Sequence, residues 1–202
     1  KGFLRILSGS TRQGLETREP VVLAAYPISP SQFQEDLKPL VPRIIAMHGT
    51  EEWKATVLTN ELHRHLGIYS ILGAKMGILA REILDASLDE LAVESRAGLR
   101  PPLSCVNDGL QVSTGASLGR GTISVPDTAA PRVEAIFKKG EKTLRLRLKD
   151  EVIDSIHRDI KRAVQVHGEL GPAYFQEVRR LSFSYWVEMK RDEIFEREFI
   201  LP

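Results

Sequence analysis

The sequence has a single cysteine, Cys105, among its 202 residues, which excludes a disulfide within the chain. Charge of one sign is also lacking, since 28 Lys and Arg stand against 27 Asp and Glu and leave a net charge of +1. That balance gives no electrostatic argument for a nucleic-acid partner or an anionic membrane. The best apolar run, Leu66 to Ala80, is broken by Lys75 and is shorter than the ~18–20 residues that span a bilayer. We therefore expect no nucleic-acid partner and no membrane span.

What the chain does contain is the composition of an ordinary globular protein, with 42% hydrophobic and 27% charged residues. Its length suits one domain with an appendage, or two small domains, and is sufficient to bury a core. We expect the protein in the cytoplasm. The chain begins with Lys1 rather than Met, so an exported form stays an open alternative.

The hydrophobic pattern predicts a mixed α/β body followed by helices. Residues 1–20 show no sustained period and are expected to form a loose or partner-covered arm. One helix is predicted to start near Ser31, although Pro39 and Pro42 interrupt its spacing, and another covers Ile68 to Leu84. Strands are predicted at Val21 to Tyr26, Leu88 to Ser95, Thr122 to Val125 and Lys142 to Glu151.

These strands do not alternate strictly with helices, which favours an α+β fold with a mainly antiparallel sheet over a doubly wound one. From Glu151 onward, apolar residues recur at helical spacing in two segments separated by "HGELGP", a pattern that predicts a C-terminal α-hairpin. We expect an α+β domain over residues 1–150, with its core motifs in 61–125, and a helical extension over residues 151–202.

Two of the five histidines, His63 and His65, stand two residues apart just before a glycine-rich helix. On a helix they would point about 200° apart, whereas in an extended chain both imidazoles share a face. We expect an extended segment from which both rings can converge on a metal ion; helix caps or solvated side chains are the alternative. Gly73 and Gly77 belong to a stripe of small residues, which predicts that a backbone or a ligand packs closely against the helix.

Residues 100–121, "RPPLSCVNDGLQVSTGASLGRG", concentrate small and hydrogen-bonding side chains, which is typical of a loop that carries a site. Together, His63, His65 and Cys105 would supply three ligands suited to zinc or a neighbouring transition metal, with a fourth position open. A buried thiol is the alternative for Cys105, and a plain turn is the alternative for residues 114–121. The spacing does not match a phosphate-binding loop.

Residues 61–125 resemble the domain named for the E-subunit of formylmethanofuran dehydrogenase. The motifs that match are His63-Arg64-His65, then "GAKMG" from Gly73, and then "CVNDGLQ" from Cys105 and "TGASLGRG" from Thr114. The resemblance implies an α+β fold, frequent dimers and metal binding by the His-x-His and Cys positions. The chain lacks the second cysteine that many relatives carry at the position of Ala116, and it lacks their cysteine-rich tail. These departures disfavour cluster binding and thiol redox chemistry.

The first functional hypothesis is a metal-binding protein, with zinc as the expected ion, whose open coordination position takes a small-molecule ligand. Asp108 would orient a ligand histidine and, in a catalytic protein, serve as the nearest base. The alternatives are a metal carrier or accessory subunit for a partner enzyme, with the α-hairpin as docking or homodimer surface, and a purely structural interaction domain. No feature selects a substrate. The adjacent pocket is expected to be lined by polar and small residues, namely Asn107, Gln111, Thr114, Gly115 and Arg120.

Overall fold

A computed structural model of the chain describes residues 21–168 and 171–201. The arm predicted for residues 1–20 lies outside the described residues. Two short 3-10 helices occupy Pro30–Gln32 and Leu103–Cys105. The remaining elements follow along the chain as α1 (Val41–His63), α2 (Ile68–Leu84), β1 (Ala92–Ser95), α3 (Val106–Thr114), β2 (Ile123–Ser124), β3 (Glu134–Lys139), β4 (Lys142–Leu148), α4 (Asp150–His167), α5 (Pro172–Glu188), α6 (Arg191–Ile194) and β5 (Phe195–Ile200).

The five strands form one sheet in the order β2-β1-β3-β4-β5. Only β1 and β2 pair in parallel, and the other three pairings are antiparallel. In β4 the leucines Leu144, Leu146 and Leu148 are fully buried while Arg145 and Arg147 lie on the other face, as the alternation predicts. The predicted α+β class with a mainly antiparallel sheet is confirmed.

One hydrophobic core joins the sheet to helices from both ends of the described chain. The buried face of α2 contributes Leu72 and Met76, and the C-terminal helices add Ile156 and Leu181 to the same cluster. The helices predicted after Glu151 are confirmed as α4 and α5. The chain then returns to the sheet, because β5 pairs with β4, and the hydrophobic pattern does not predict this strand.

A second cluster fills the space between α1 and α5. Its centre is a stack of Trp53 on Trp186, with ring centroids 5.2 Å apart and an angle of 15° between the planes. Phe33 meets Trp53 edge-on, which covers the stack from the segment that precedes α1. The aromatic residues near the end of α5 therefore belong to the core, whereas Phe175, near its start, is 48% exposed.

Helices α2 and α3 pack backbone against backbone. A β-carbon on Gly73 would overlap the Val106 carbonyl, and one on Gly77 would overlap the Ser113 side chain. Gly109, on α3, faces the backbone of α2 in the same way, near Ala74. The close partner predicted for the small-residue stripe thus exists, and it is another helix. This contact fixes the start of α3, and with it Cys105 and Asp108, relative to α2.

Two predicted elements near the start of the described chain are wrong. Residues 21–25 form bends rather than a strand, and Val21 is 96% exposed, so the apolar run has no partner in the part of the chain described. The helix expected from Ser31 is only a 3-10 turn. The α-helix begins at Val41, and Pro42 is tolerated in its first turn because the backbone N–H that proline lacks has no partner within the helix there.

None of the helices within the described ranges combines the length and apolarity that a bilayer crossing requires.

Candidate functional site

His63 lies at the last residue of α1 and contacts Asp108 in the first turn of α3. Its Nδ1 atom is 2.7 Å from Asp108 Oδ2. The two residues are 45 positions apart in sequence, and the glycine-mediated packing of α2 on α3 is what brings them together. In the neutral imidazole, a carboxylate acceptor at Nδ1 favours the tautomer with the proton on Nδ1 and a lone pair on Nε2.

The two histidines of the pair face each other across a chain reversal. Arg64, between them, has a left-handed backbone with φ of 66° and ends α1. The imidazole centroids of His63 and His65 are therefore 4.2 Å apart, with 39° between the ring planes. The predicted extended segment is wrong, because His63 is helical. The two imidazoles nevertheless converge as expected, because the turn at the left-handed Arg64 brings the ring of His65 back toward that of His63.

Both Nε2 atoms approach one small volume beside Gly67. A β-carbon placed on Gly67 would lie 3.5 Å from His63 Nε2 and 3.4 Å from His65 Nε2. His63 Nε2 is buried and has no hydrogen-bond partner among the described residues. His65 is exposed at one side, and its partial desolvation, and then the neighbouring His63, lower its pKa, which favours the neutral imidazole. Two neutral nitrogens near one point are the donor set of a borderline metal ion.

Cys105 and Asp108 share a cavity with His63. The cavity has a volume of about 530 Å³, and Leu99, Leu118 and Ile123 supply much of its apolar wall. Burial, and then the Asp108 charge, raise the pKa of the Cys105 thiol. The thiol is therefore protonated near neutral pH, which argues against a nucleophilic cysteine in this state.

The three predicted ligands are only partly assembled. Within the described ranges, no group of three His, Cys, Asp or Glu side chains lies close enough together to hold a metal ion. His63 lines the cavity that contains Cys105, whereas His65 lines a second cavity on the other side of the pair. The structure thus brings the two histidines together, and separately brings Cys105 near His63.

The residues predicted for the pocket divide along α3. Asn107 and Gln111 line the Cys105 cavity, but the Asn107 amide is engaged, since Oδ1 accepts from Ser95 Oγ at 2.6 Å and Nδ2 donates to the Gly98 carbonyl at 2.9 Å. Thr114 is the last residue of α3, and Gly115 and Arg120 follow it, so all three lie at or beyond the far end of the helix. Thr114 Oγ1 donates to the Leu110 carbonyl, Gly115 ends the helix with φ of 75°, and Arg120 pairs with Asp89.

The loop predicted over residues 100–121 is therefore helical over Val106–Thr114, after a 3-10 turn, and is irregular only at its two ends. Asn, Asp, Gly, Ser and Thr have low helix propensity, which is why the sequence of "NDGLQVST" predicts an irregular segment. Tertiary packing overrides that propensity, since Val106, Gly109 and Leu110 are buried against α2.

Sequence reasoning missed a second buried cluster of ionisable groups, at the kink of α1, where Gly49 has a non-helical backbone with φ of 82°. Glu52 is fully buried, and its carboxylate contacts Lys75 Nζ at 2.6 Å and Arg191 NH1 at 3.0 Å. His48 lies one turn away, with Nδ1 3.6 Å from Glu52 Oε1. The (i, i+4) spacing of His48 and Glu52 was the available signal, whereas the sequence presents Lys75 only as a break in an apolar run.

Comparison with known proteins places the chain in a family. A family model described as "FmdE, Molybdenum formylmethanofuran dehydrogenase operon" matches residues 62–196, well over half of the chain. A relative from Archaeoglobus fulgidus, described as a probable S-adenosyl-L-methionine-binding protein, is 27% identical over 146 residues, which cover 69% of this chain and 39% of the relative. The chain thus spans about two fifths of the length of that relative.

Among solved structures, the chain is similar to a tungsten formylmethanofuran dehydrogenase FmdE-like protein from Syntrophus aciditrophicus. The TM-score is 0.48 at 15% identity, and the match covers 75% of this chain and 72% of the other. The family model alone spans the His-x-His segment, α2, the Cys105–Asp108 segment and the sheet through the start of β5. The chain belongs to the FmdE family.

Proposed function

We propose that the protein binds one transition-metal ion, with zinc as the expected ion, through His63, His65 and Cys105. The observation that carries the proposal is the contact pattern of His63. Its Nδ1 is held by Asp108 at 2.7 Å, while its Nε2 is buried and unpartnered among the described residues. A buried polar atom left unsatisfied costs about 1–3 kcal/mol, and a bound ion would remove that cost.

The carboxylate contact has the form that metal-binding histidines use. A ligand imidazole usually donates its second N–H to a carboxylate, which fixes the tautomer and makes the coordinating nitrogen more basic. Asp108 supplies such a contact to His63. His65 offers its own neutral nitrogen within reach of the same point beside Gly67. The residues present therefore fit a borderline divalent ion.

Cys105 is the third proposed ligand. It lies on the cavity that His63 and Asp108 also line, and ligation would require its sulfur to approach the imidazoles more closely than in this structure. Loss of the thiol proton accompanies ligation, so binding should be tighter at higher pH.

Bound with an open coordination position, such an ion would polarise a carbonyl or activate a water molecule. The chain itself supplies the surroundings. Asp108 is about one third exposed, and its Oδ1 atom has no described partner, so this oxygen can accept a proton from a molecule in the cavity. The apolar wall formed by Leu99, Leu118 and Ile123 favours a small molecule with an apolar part.

Elemental analysis by plasma mass spectrometry on untagged protein tests this proposal. Wild type should contain close to one equivalent of metal, and His63→Ala, His65→Ala and Cys105→Ala should each lose most of it. His157→Ala is the matched control, because His157 is exposed on α4 and should retain full metal content. Folded wild type that stays metal-free after anaerobic reconstitution with zinc would rule the proposal out.

A non-catalytic carrier or accessory subunit is the second candidate. It is favoured by the exposure of His65, which lets solvent or a partner protein reach one side of the proposed ion. Exchange distinguishes the two functions: a carrier should transfer its metal to a competing chelator within minutes, whereas a catalytic site should retain it and turn over a substrate.

A homodimer is also part of the proposal. The strand β5 forms one edge of the sheet and carries Phe199 and Ile200 with more than a third of their surface exposed. The apolar end of this edge strand, beyond the charged Glu196 to Glu198, is the surface on which we propose that a second copy pairs. Light scattering in solution measures the mass of the particle and so tells a monomer from a dimer.

We propose a cytoplasmic location, because a lone half-buried thiol stays reduced in that compartment.

A further inference from the structure

The cavity that contains Cys105 has two neighbouring polar side chains on one face of α3. Asp108 and Gln111 both line it, and their (i, i+3) spacing on the helix makes them neighbours. Both residues are partly exposed, so a molecule in the cavity can reach them. Asp108 Oδ2 is held by His63, whereas Oδ1 has no partner among the described residues. Oδ1 is therefore an acceptor open to a ligand.

The side-chain amide of Gln111 is oriented by a contact with the loop after α3. Its Oε1 atom accepts the backbone N–H of Leu118 at 3.3 Å. This contact assigns the oxygen of the amide to the loop and leaves the Nε2 group, which can only donate. Nε2 has no hydrogen-bond partner within residues 21–168 and 171–201. The cavity thus presents a donor, Gln111 Nε2, beside the acceptor of Asp108.

The charges of the wall disfavour an anion. Among the described residues that line the cavity, Asp108 is the one carboxylate, and none is a lysine or an arginine. A carboxylate or phosphate ligand would therefore find no cationic side chain in the wall and would be repelled by Asp108. The other polar side chains select less, because the Asn107 amide is engaged and the Ser104 hydroxyl can either donate or accept.

The remainder of the wall is apolar. Leu99 and Leu118 line the cavity although 76% and 70% of their surface is exposed, and Ile123 and Val125 line it from the edge of the sheet. A ligand with an apolar body would cover leucine surface that faces water, which is favourable. The volume of about 530 Å³ lies within the range of small-molecule sites.

We propose that this cavity binds a small uncharged carboxamide with an apolar substituent. The amide N–H would donate to Asp108 Oδ1, the amide carbonyl would accept from Gln111 Nε2, and the substituent would pack on the apolar wall. This inference rests on the proposed function for the role of the bound molecule, since it names the class that is taken up beside the proposed ion. The binding itself does not need the ion, because both hydrogen bonds come from side chains of α3.

The test uses benzamide as the probe and two compounds of the same shape as controls. Acetophenone replaces the amide NH₂ group by a methyl group, and benzoate replaces it by a charged oxygen. Isothermal titration calorimetry on the full chain after chelator treatment keeps metal out of the comparison. Benzamide should bind saturably, and each control compound should bind about tenfold or more weakly because the hydrogen bond to Asp108 is lost.

Gln111→Glu tests the donor. The variant keeps the size of the side chain and an oxygen for the Leu118 N–H, but Nε2 is replaced by an oxygen that cannot donate. Benzamide binding should weaken by about tenfold or more. Gln165→Glu is the matched control, because it makes the same charge change at an exposed position on α4 and should bind benzamide as wild type does. Circular dichroism checks that both variants are folded.

Three results would overturn the inference: no saturable benzamide binding, a control compound that binds as tightly as benzamide, or unchanged affinity in Gln111→Glu. The comparison of compounds uses wild type alone, so it decides the matter even where the variant does not fold. Metal content, measured separately, tests the proposed function. Protein that takes up metal and does not bind benzamide would refute this inference alone, and metal-free protein that binds benzamide would refute the metal proposal alone.

Discussion

Two histidines of this chain lie beside carboxylates, and their surroundings differ in one respect. His48 is buried at the kink of α1, where Nε2 lies 2.9 Å from the Val187 carbonyl and Nδ1 lies 3.6 Å from Glu52. His63, at the other end of the same helix, has Nδ1 on Asp108 and a buried Nε2 with no described partner. The His48 ring is held through Nε2 and has Nδ1 near a carboxylate, whereas the His63 ring keeps a buried nitrogen without a partner among the described residues.

This difference is the reason that we propose a binding role for His63 and a structural role for His48. At His48 the nearby Glu52 is itself neutralised by Lys75 and Arg191, so nothing in the cluster needs a ligand. At His63 the carboxylate holds Nδ1, Nε2 is buried without a described partner, and the residue lines a cavity. Proximity to a carboxylate is common to both sites, so the unsatisfied atom is the informative feature.

The largest effect is expected from Glu52→Gln, which breaks the closed cluster. It leaves Lys75 buried without its counter-charge, which should reduce the free energy of unfolding by about 3–5 kcal/mol. Urea titration followed by circular dichroism measures this loss. Glu51→Gln is the control, because Glu51 pairs with Lys54 at a more exposed position and should change stability by less than about 1 kcal/mol. Equal effects of the two variants would contradict the structural role of the cluster.

The next effect sharpens the contrast between the two histidines. Zinc at 100 times its dissociation constant should stabilise wild type by about 2.7 kcal/mol if it binds the folded state alone. His63→Gln should abolish the gain, whereas His48→Gln should lower basal stability and retain it. Thermal unfolding with zinc and with a chelator gives both values. A zinc gain that survives in His63→Gln would show that the ion binds elsewhere.

A smaller effect is expected from Gly109→Ala, which acts on the geometry that joins His63 to Asp108. The added methyl would meet the backbone of α2 near Ala74, and such overpacking typically costs about 1–3 kcal/mol. The separation of α2 from α3 should also weaken metal binding, since Asp108 moves with α3. Gly119→Ala is the control, because its β-carbon would have no neighbour closer than 4.0 Å. Unchanged stability and metal content would contradict the packing argument.

The smallest effect is a pH dependence specific to His48. Burial, and then the charge of Lys75, lower the pKa of His48, while Glu52 opposes the shift and Arg191 adds to it. The unfolded state then binds a proton near the unperturbed value of about 6.5, where the folded state does not. The His48 contribution should be present above that pH and be lost as the pH falls below it. His48→Gln should flatten this part of the curve of unfolding free energy against pH, and an unchanged curve would exclude His48 as its source.

Much of the fold could be predicted because its signals are local. The α2 helix has the predicted bounds, since its apolar and small residues continue without a proline from Ile68 to Leu84. In β4, leucine alternates with basic residues, a local pattern that predicts a half-buried strand, and the structure has one there. By contrast, β5 reads "FEREFI" with mostly exposed residues, and only its pairing with β4 makes it a strand.

The sequence by itself determined only which side chains have metal-binding chemistry, namely His63, His65 and Cys105, with Asp108 as a possible orienting carboxylate. That they form one metal site stays a prediction, since the structure brings only some of them together. Only the tertiary structure decided that Asp108 meets His63, that the pair faces two separate cavities, and that His48 is occupied. Those outcomes depend on contacts between residues far apart in sequence, set by the α2–α3 packing and by the left-handed turn at Arg64, and no local pattern encodes them.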